Sequence, residues 1–139
     1  MRKHTMLTRL DCNPEEAERV LARGLRELAG GILWLWRMCM VQLGPAINQV
    51  CKMMSAPTEA TWDAAIQILE YAYQHRHEGI RYRRDGNRVP VSYYDSGGKP
   101  DPKDAKSQHG HVVLLGDGPL SYVTRKHKHV GSAGTMGVE

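Results

Sequence analysis

The feature that most constrains this chain is a change of hydrophobic period. Up to about residue 79 apolar side chains recur at the spacing of amphipathic helices, and beyond residue 88 they alternate as in strands. In Asn13-Pro14-Glu15-Glu16, Asn13 can cap, Pro14 suits a first helical turn and Glu16 suits a capping box. Ala17, Val20, Leu21, Gly24, Leu25 and Leu28 continue from it as one helical stripe. Gly30-Gly31 is a candidate interruption. Residues 32–43 are apolar nearly all round, as in a helix packed on more than one side, and Gly44-Pro45 marks a break before a helix over 46–54. Thr58 caps a helix over residues 58–75 with the stripe Trp62, Ala65, Ile66, Leu69 and Tyr73, of which Trp62, Ile66 and Leu69 are expected inward. Residues 89–94, 111–115 and 120–124 read as strands, the last two joined through Gly116-Asp117-Gly118-Pro119. Helices followed by strands predict an α+β fold, with N-terminal helices leading into a three-stranded antiparallel meander.

A length of 139 residues, 41 % hydrophobic and 24 % charged, fits an ordinary folded domain and excludes disorder throughout. Phe is absent, so a core must rest on Leu, Ile, Val, Met and three Trp. The three cysteines, Cys12, Cys39 and Cys51, include no Cys-x-x-Cys pair, which excludes a disulfide scaffold and a zinc ribbon and predicts a reducing compartment. No apolar run follows the basic start, so a secretory signal is not expected. The apolar run over 29–43 contains Arg37 and falls short of the roughly 20 residues of a membrane span. The expectation is an intracellular chain, cytoplasmic or nuclear, without a membrane partner. A net charge of +4 is compatible with a polyanionic partner.

An ordered series of motifs carries a resemblance: Tyr93-Tyr94-Asp95-Ser96, then Asp101-Pro102-Lys103-Asp104-Ala105-Lys106-Ser107, then Gly110, then Gly116-Asp117-Gly118-Pro119-Leu120-Ser121. Upstream, Arg26-Glu27-Leu28-Ala29-Gly30, Leu33-Trp34-Leu35 and Met54-Ser55-Ala56-Pro57-Thr58 add to it, along with Trp62, Ala65, Ile66 and Leu69. The series resembles copia-type retrotransposon Pol polyproteins, where a helical connection follows reverse transcriptase and leads into the ribonuclease H domain. The resemblance implies a flexible tail over 1–12, a helical connection segment over 13–88 and a partial ribonuclease H-like domain over 89–139. In that family two Mg²⁺ ions held by four carboxylates cleave the RNA strand of an RNA–DNA hybrid. The first ligand is an Asp at the end of the first strand, and Asp95 stands in that register.

The departures bear on activity. The family's second ligand, a Glu, falls on Val138, with Glu139 one residue late, and a one-residue slip turns a side chain about 100° around a helix. The last two Asp ligands have no counterpart here. The family's second Asp and Trp of the first motif are Gly97 and Gly98, and its Thr-Arg-Pro-Asp-Ile turn is Cys39-Met40-Val41-Gln42-Leu43. The resemblance thus implies a degenerate, truncated copy without nuclease activity. No cofactor is expected; Mg²⁺ would belong only to a complete site, and Asp95 alone would hold it weakly. Nucleic acid, specifically an RNA–DNA hybrid, is the implied partner, through Arg81, Arg83, Arg84, Lys126 and Lys128.

Plainer readings stand beside these. Asp95 also fits a turn aspartate at a strand end, and Arg125-Lys126-His127-Lys128-His129 fits an edge strand guarded by charge. His75/His77, His109/His111 and His127/His129 have the i, i+2 spacing that shares a strand face, yet no Cys or carboxylate completes a metal-ligand pattern. Trp34, Trp36 and Trp62 are expected in the core. The alternative function is a small basic interaction module that uses its apolar helical segment.

Overall fold

The computed structural model describes residues 13–86, 88–96 and 106–126. Four helices come first: α1 (Pro14–Ala22), α2 (Leu25–Met38), α3 (Gly44–Lys52) and α4 (Glu59–Gln74), with a 3-10 turn over Val41–Leu43 between α2 and α3. Three strands follow: β1 (Val91–Ser96), β2 (Gln108–Leu115) and β3 (Gly118–Lys126). They form one antiparallel sheet in the order β1-β2-β3, so the α+β expectation holds. The chain divides between Gly79 and Ile80 into two compact units.

In the helical unit Asn13 caps α1 as expected, its side-chain oxygen accepting from the Glu15 N–H at 3.0 Å. Glu16 does not close a box on its own helix. Its Oε1 accepts from the Glu59 N–H at 2.8 Å, satisfying a donor at the N-terminus of α4. Arg23 Nη1 meets Glu59 Oε2 at 2.6 Å, a second tie between the same two helices. The expected single stripe over residues 17–28 is broken at Gly24, whose φ of 92° is a left-handed conformation that glycine adopts without a Cβ penalty. Helix α2 then runs through Gly30-Gly31 without interruption. Its end comes at Met38, ahead of the expected break at Gly44-Pro45; Pro45 sits instead in the first turn of α3.

The core of this unit gathers Val20, Leu25, Ala29 and Ile32 with Met40, Leu43, Ile47 and Val50, and α4 closes it with Ala65, Ile68 and Ala72. Each fully buried Leu, Ile or Val contributes about 2 kcal/mol relative to exposure. The α4 face is rotated from the expected one. Thr61, Ala65, Ile68 and Ala72 are buried, Trp62 and Ile66 are half-buried, and Leu69 and Tyr73 are exposed. The small side chains of Ala65 and Ala72 let neighbouring backbones approach, and the larger stripe lies along the edge of the contact. Trp34 is also displaced from expectation: it is 61 % exposed, on the side of α2 opposite Leu25.

In the strand unit β2 and β3 are joined by the two-residue turn Gly116-Asp117, both with positive φ (58° and 64°), as twist-matched hairpin turns require. Gly118 and Pro119 already belong to β3. Residues 81–86 fold over this turn. The Arg83 N–H donates to the Gly116 carbonyl at 2.7 Å, and the Tyr82 hydroxyl donates to the Pro119 carbonyl at 2.8 Å. The approach is close enough that a Cβ on Gly118 would lie 2.6 Å from the Tyr82 ring, and one on Gly86 would lie 2.9 Å from Asp117 Oδ2.

Candidate nucleic-acid interface

The register of the sheet places the residues expected to carry function. Asp95 sits near the end of β1 opposite Gly110 of β2, which in turn faces Thr124 of β3. Cross-strand partners share a face, so Asp95 lies on the face that carries Tyr93, Gln108, Val112, Tyr122, Thr124 and Lys126. Gln108 Nε2 donates to Thr124 Oγ1 across this face at 2.9 Å. The Asp95 side chain is exposed.

Arg81, Arg83 and Arg84 lie at the other end of the hairpin, on the segment that covers the Gly116-Asp117 turn. All three are exposed, but they are not equivalent. The Arg83 guanidinium lies 3.4 Å from Asp85 and 3.9 Å from Asp117, so part of its charge is neutralised locally. No carboxylate among the described residues pairs with Arg81 or Arg84. Lys126 ends β3, eight residues beyond Gly118, which at strand rise is roughly 26 Å from the turn. The basic residues therefore form two separate groups, one at each end of the hairpin, and Asp95 lies with Lys126. Lys128 lies outside the described residues, as do Gly97, Gly98, Val138 and Glu139.

Among the described residues no group of three His, Cys, Asp or Glu side chains could hold a metal ion. Among the described residues the Asp95 face of the sheet carries one carboxylate, whereas a two-metal centre needs several hard oxygen ligands converging on each ion. His109 and His111 share the opposite face, where the His109 ring stacks on Tyr94 with centroids 6.1 Å apart. His75 pairs with Glu78 at 2.7 Å beyond the end of α4; His127 and His129 lie outside the described residues. Burial pushes the Cys51 thiol above its ordinary range, which disfavours a nucleophilic thiolate.

Two features have no signal in the sequence that would have singled them out. One is the Tyr82 contact with the hairpin, which depends on register. The other is the aromatic–cation pairing at the end of α4, where the Arg76 guanidinium lies 4.3 Å from the Tyr73 ring centroid. Among the described residues no helix is long and apolar enough to cross a membrane.

The sequence is similar to two proteins of Arabidopsis thaliana. It is 31 % identical over 94 residues to the retrovirus-related Pol polyprotein from transposon RE2, covering 67 % of this chain and 6 % of that protein. It is 32 % identical over 91 residues to the retrovirus-related Pol polyprotein from transposon RE1, covering 65 % of this chain and 6 % of that one. A third relative, secreted RxLR effector protein 161 of Plasmopara viticola, is 24 % identical over 106 residues, 76 % of this chain and 75 % of that protein. No protein-family model and no solved structure matches. The match spans only 6 % of each Pol polyprotein, and it supports a retrotransposon Pol origin for this sequence.

Proposed function

We propose that this chain is a copia-type Pol segment that joins the helical connection after reverse transcriptase to the opening strands of a ribonuclease H-like fold. In this proposal it has no nuclease activity of its own and retains weak, salt-sensitive binding to an RNA–DNA hybrid. The observation that carries the proposal is the similarity to two Pol polyproteins over about two thirds of the chain. The antiparallel β1-β2-β3 order, with Asp95 at the end of the first strand, is the arrangement the resemblance implies. The expectation of no nuclease activity rests on Asp95 being the one family carboxylate kept in register: a single carboxylate binds Mg²⁺ weakly, because the ion gives up its water reluctantly. Binding would use Arg81 and Arg84 at the turn and Lys126 at the far end, with Lys128 assigned from sequence alone and Arg83 partly neutralised. Cationic groups at the two ends of a hairpin whose strand β3 runs roughly 26 Å suit the backbone of a duplex laid along it better than a point anion.

The test is hybrid cleavage and binding with the purified chain. No cleavage is expected in Mg²⁺ or Mn²⁺, and Asp95→Asn should change nothing. Mg²⁺-dependent cleavage lost in Asp95→Asn would overturn the inactive reading. Hybrid binding should weaken steeply with salt, and Arg81→Ala with Arg84→Ala should lower the slope of log affinity against log salt by about 2.

A second reading, a non-enzymatic interaction module, is favoured by the outer side of α2. Trp34 and Met38 are 61 % and 59 % exposed there, beside Gly30 and Gly31. Association that salt does not weaken and that Trp34→Glu abolishes would favour it.

A further inference from the structure

Tyr82 is held at two points. Its hydroxyl donates to the Pro119 carbonyl at 2.8 Å, and the Cδ1–Cε1 edge of its ring lies on Gly118, where a Cβ would stand 2.6 and 2.8 Å from those two atoms. The Arg81 carbonyl oxygen lies on the same glycine, 2.9 Å from that position. Gly118 is buried beneath them, yet Tyr82 itself is 57 % exposed. A ring fixed at its tip and along one edge has little rotamer freedom left to lose, so a flat ligand meets it at low entropic cost. Other tyrosines are already engaged. Tyr71 packs on His75, Tyr73 carries the Arg76 guanidinium and Tyr94 stacks on His109. No ring or guanidinium among the described residues lies against Tyr82. Its neighbours in the chain carry charge. Arg83 meets both nearby aspartates, Asp85 and Asp117, which leaves Arg81 and Arg84 exposed and without a carboxylate partner among the described residues. All of these groups belong to the strand unit.

We propose that Tyr82 is a stacking platform for an unpaired base, with Arg81 and Arg84 holding the phosphates that flank it. The ligand is a single-stranded stretch at the end of an RNA–DNA hybrid, and the inference rests on the nucleic-acid reading above. Within a duplex both faces of a base are already stacked, so the ring adds nothing to a blunt hybrid. An overhanging base has a free face to offer, and an aromatic side chain accepts it whatever the base. A single strand brings both complementary features together: phosphates for the two guanidinium groups and a flat π surface for the ring. Inorganic phosphate would meet the arginines and leave the ring idle.

Fluorescence anisotropy of the full chain with labelled hybrids tests this. One hybrid is blunt, one carries a short single-stranded DNA overhang, and one carries the same overhang without its bases. The wild type should bind the base-bearing overhang about tenfold more tightly than the base-free one, the effect of stacking one base on an aromatic ring. The two overhangs have the same phosphates, so the comparison separates stacking from charge. Tyr82→Leu should remove the preference and leave blunt-hybrid binding and its salt slope unchanged. Tyr82→Phe, which keeps the ring, should retain the preference. Equal wild-type affinity for the two overhangs overturns the inference and leaves hybrid binding standing, and this comparison decides even where Tyr82→Leu fails to fold. A preference that persists in folded Tyr82→Leu also overturns it. No binding to any of the hybrids overturns the hybrid reading itself, and the inference with it.

Discussion

At the scale of single residues, the turn and its cover make the sharpest demands. Gly116 has a φ of 58°, and a Cβ there would stand 3.0 Å from the Arg83 carbonyl oxygen. Gly116→Ala is expected to destabilise the strand unit by about 1–2 kcal/mol, the cost of left-handed backbone for a residue with a Cβ; urea unfolding followed through the tyrosines would measure it. Tyr82→Phe removes one hydrogen bond to a carbonyl and should cost about 0.5–1 kcal/mol in the same assay. Cys51 behaves oppositely to an activated thiol. Because burial raises its pKa, the folded state holds the proton more tightly than the unfolded one. The contribution is complete below the thiol's ordinary value and is lost as pH rises from there through the raised folded-state value. Modification of Cys51 by a thiol reagent should accordingly lag that of an exposed cysteine at neutral pH.

Elements were legible in the sequence where a cap or a turn residue coincided with a change of period. Asn13, Thr58 and the Gly116-Asp117 pair mark α1, α4 and the β2–β3 hairpin in both sequence and structure. What the pattern could not decide was which of several glycines breaks a helix. Gly24 takes the positive φ, and Gly30 and Gly31 stay helical on an exposed face where a Cβ would meet nothing within 4 Å. Gly30→Ala and Gly31→Ala should each raise stability by roughly 0.5–1 kcal/mol, read from thermal melting of the helical signal, whereas Gly24→Ala should lower it. The inward face of α4 was likewise not legible, because a stripe of large apolar residues scores above Thr61 and Ala65 in sequence although close helix packing buries the small ones. Thr61 is fully buried, and its hydroxyl accepts from the Thr58 N–H at 3.1 Å. Thr61→Val keeps the shape and orphans that donor, so a loss of about 1–2 kcal/mol is expected.

For the whole molecule, apolar burial is unevenly shared. Among the described residues every buried core hydrophobic lies between Val20 and Ala72, and in the strand unit the buried positions are Ser107 and Gly118. The helical unit should therefore hold the slowest-exchanging amides, with Leu25, Ile32 and Ile47 among them, and the strand unit should open at lower urea. Hydrogen exchange resolved by residue would show two classes dividing near Gly79. The position of Asp95 was legible because the motif series fixes the strand it ends. The separation of Arg81 and Arg84 from Lys126 was not, since it depends on where the hairpin turns and how far β3 runs past it.

The cover over the Gly116-Asp117 turn also orders events in time. A two-residue turn brings β2 and β3 together by local closure, on a scale of about 1–10 μs for an isolated hairpin. The Arg83 and Tyr82 contacts have nothing to bind until that turn exists. β1 must also be returned to β2 across residues 97–107, a slower closure than the turn itself. A lesion at Gly116 should thus slow refolding of the strand unit, whereas one in the outer part of β1 should chiefly speed its unfolding.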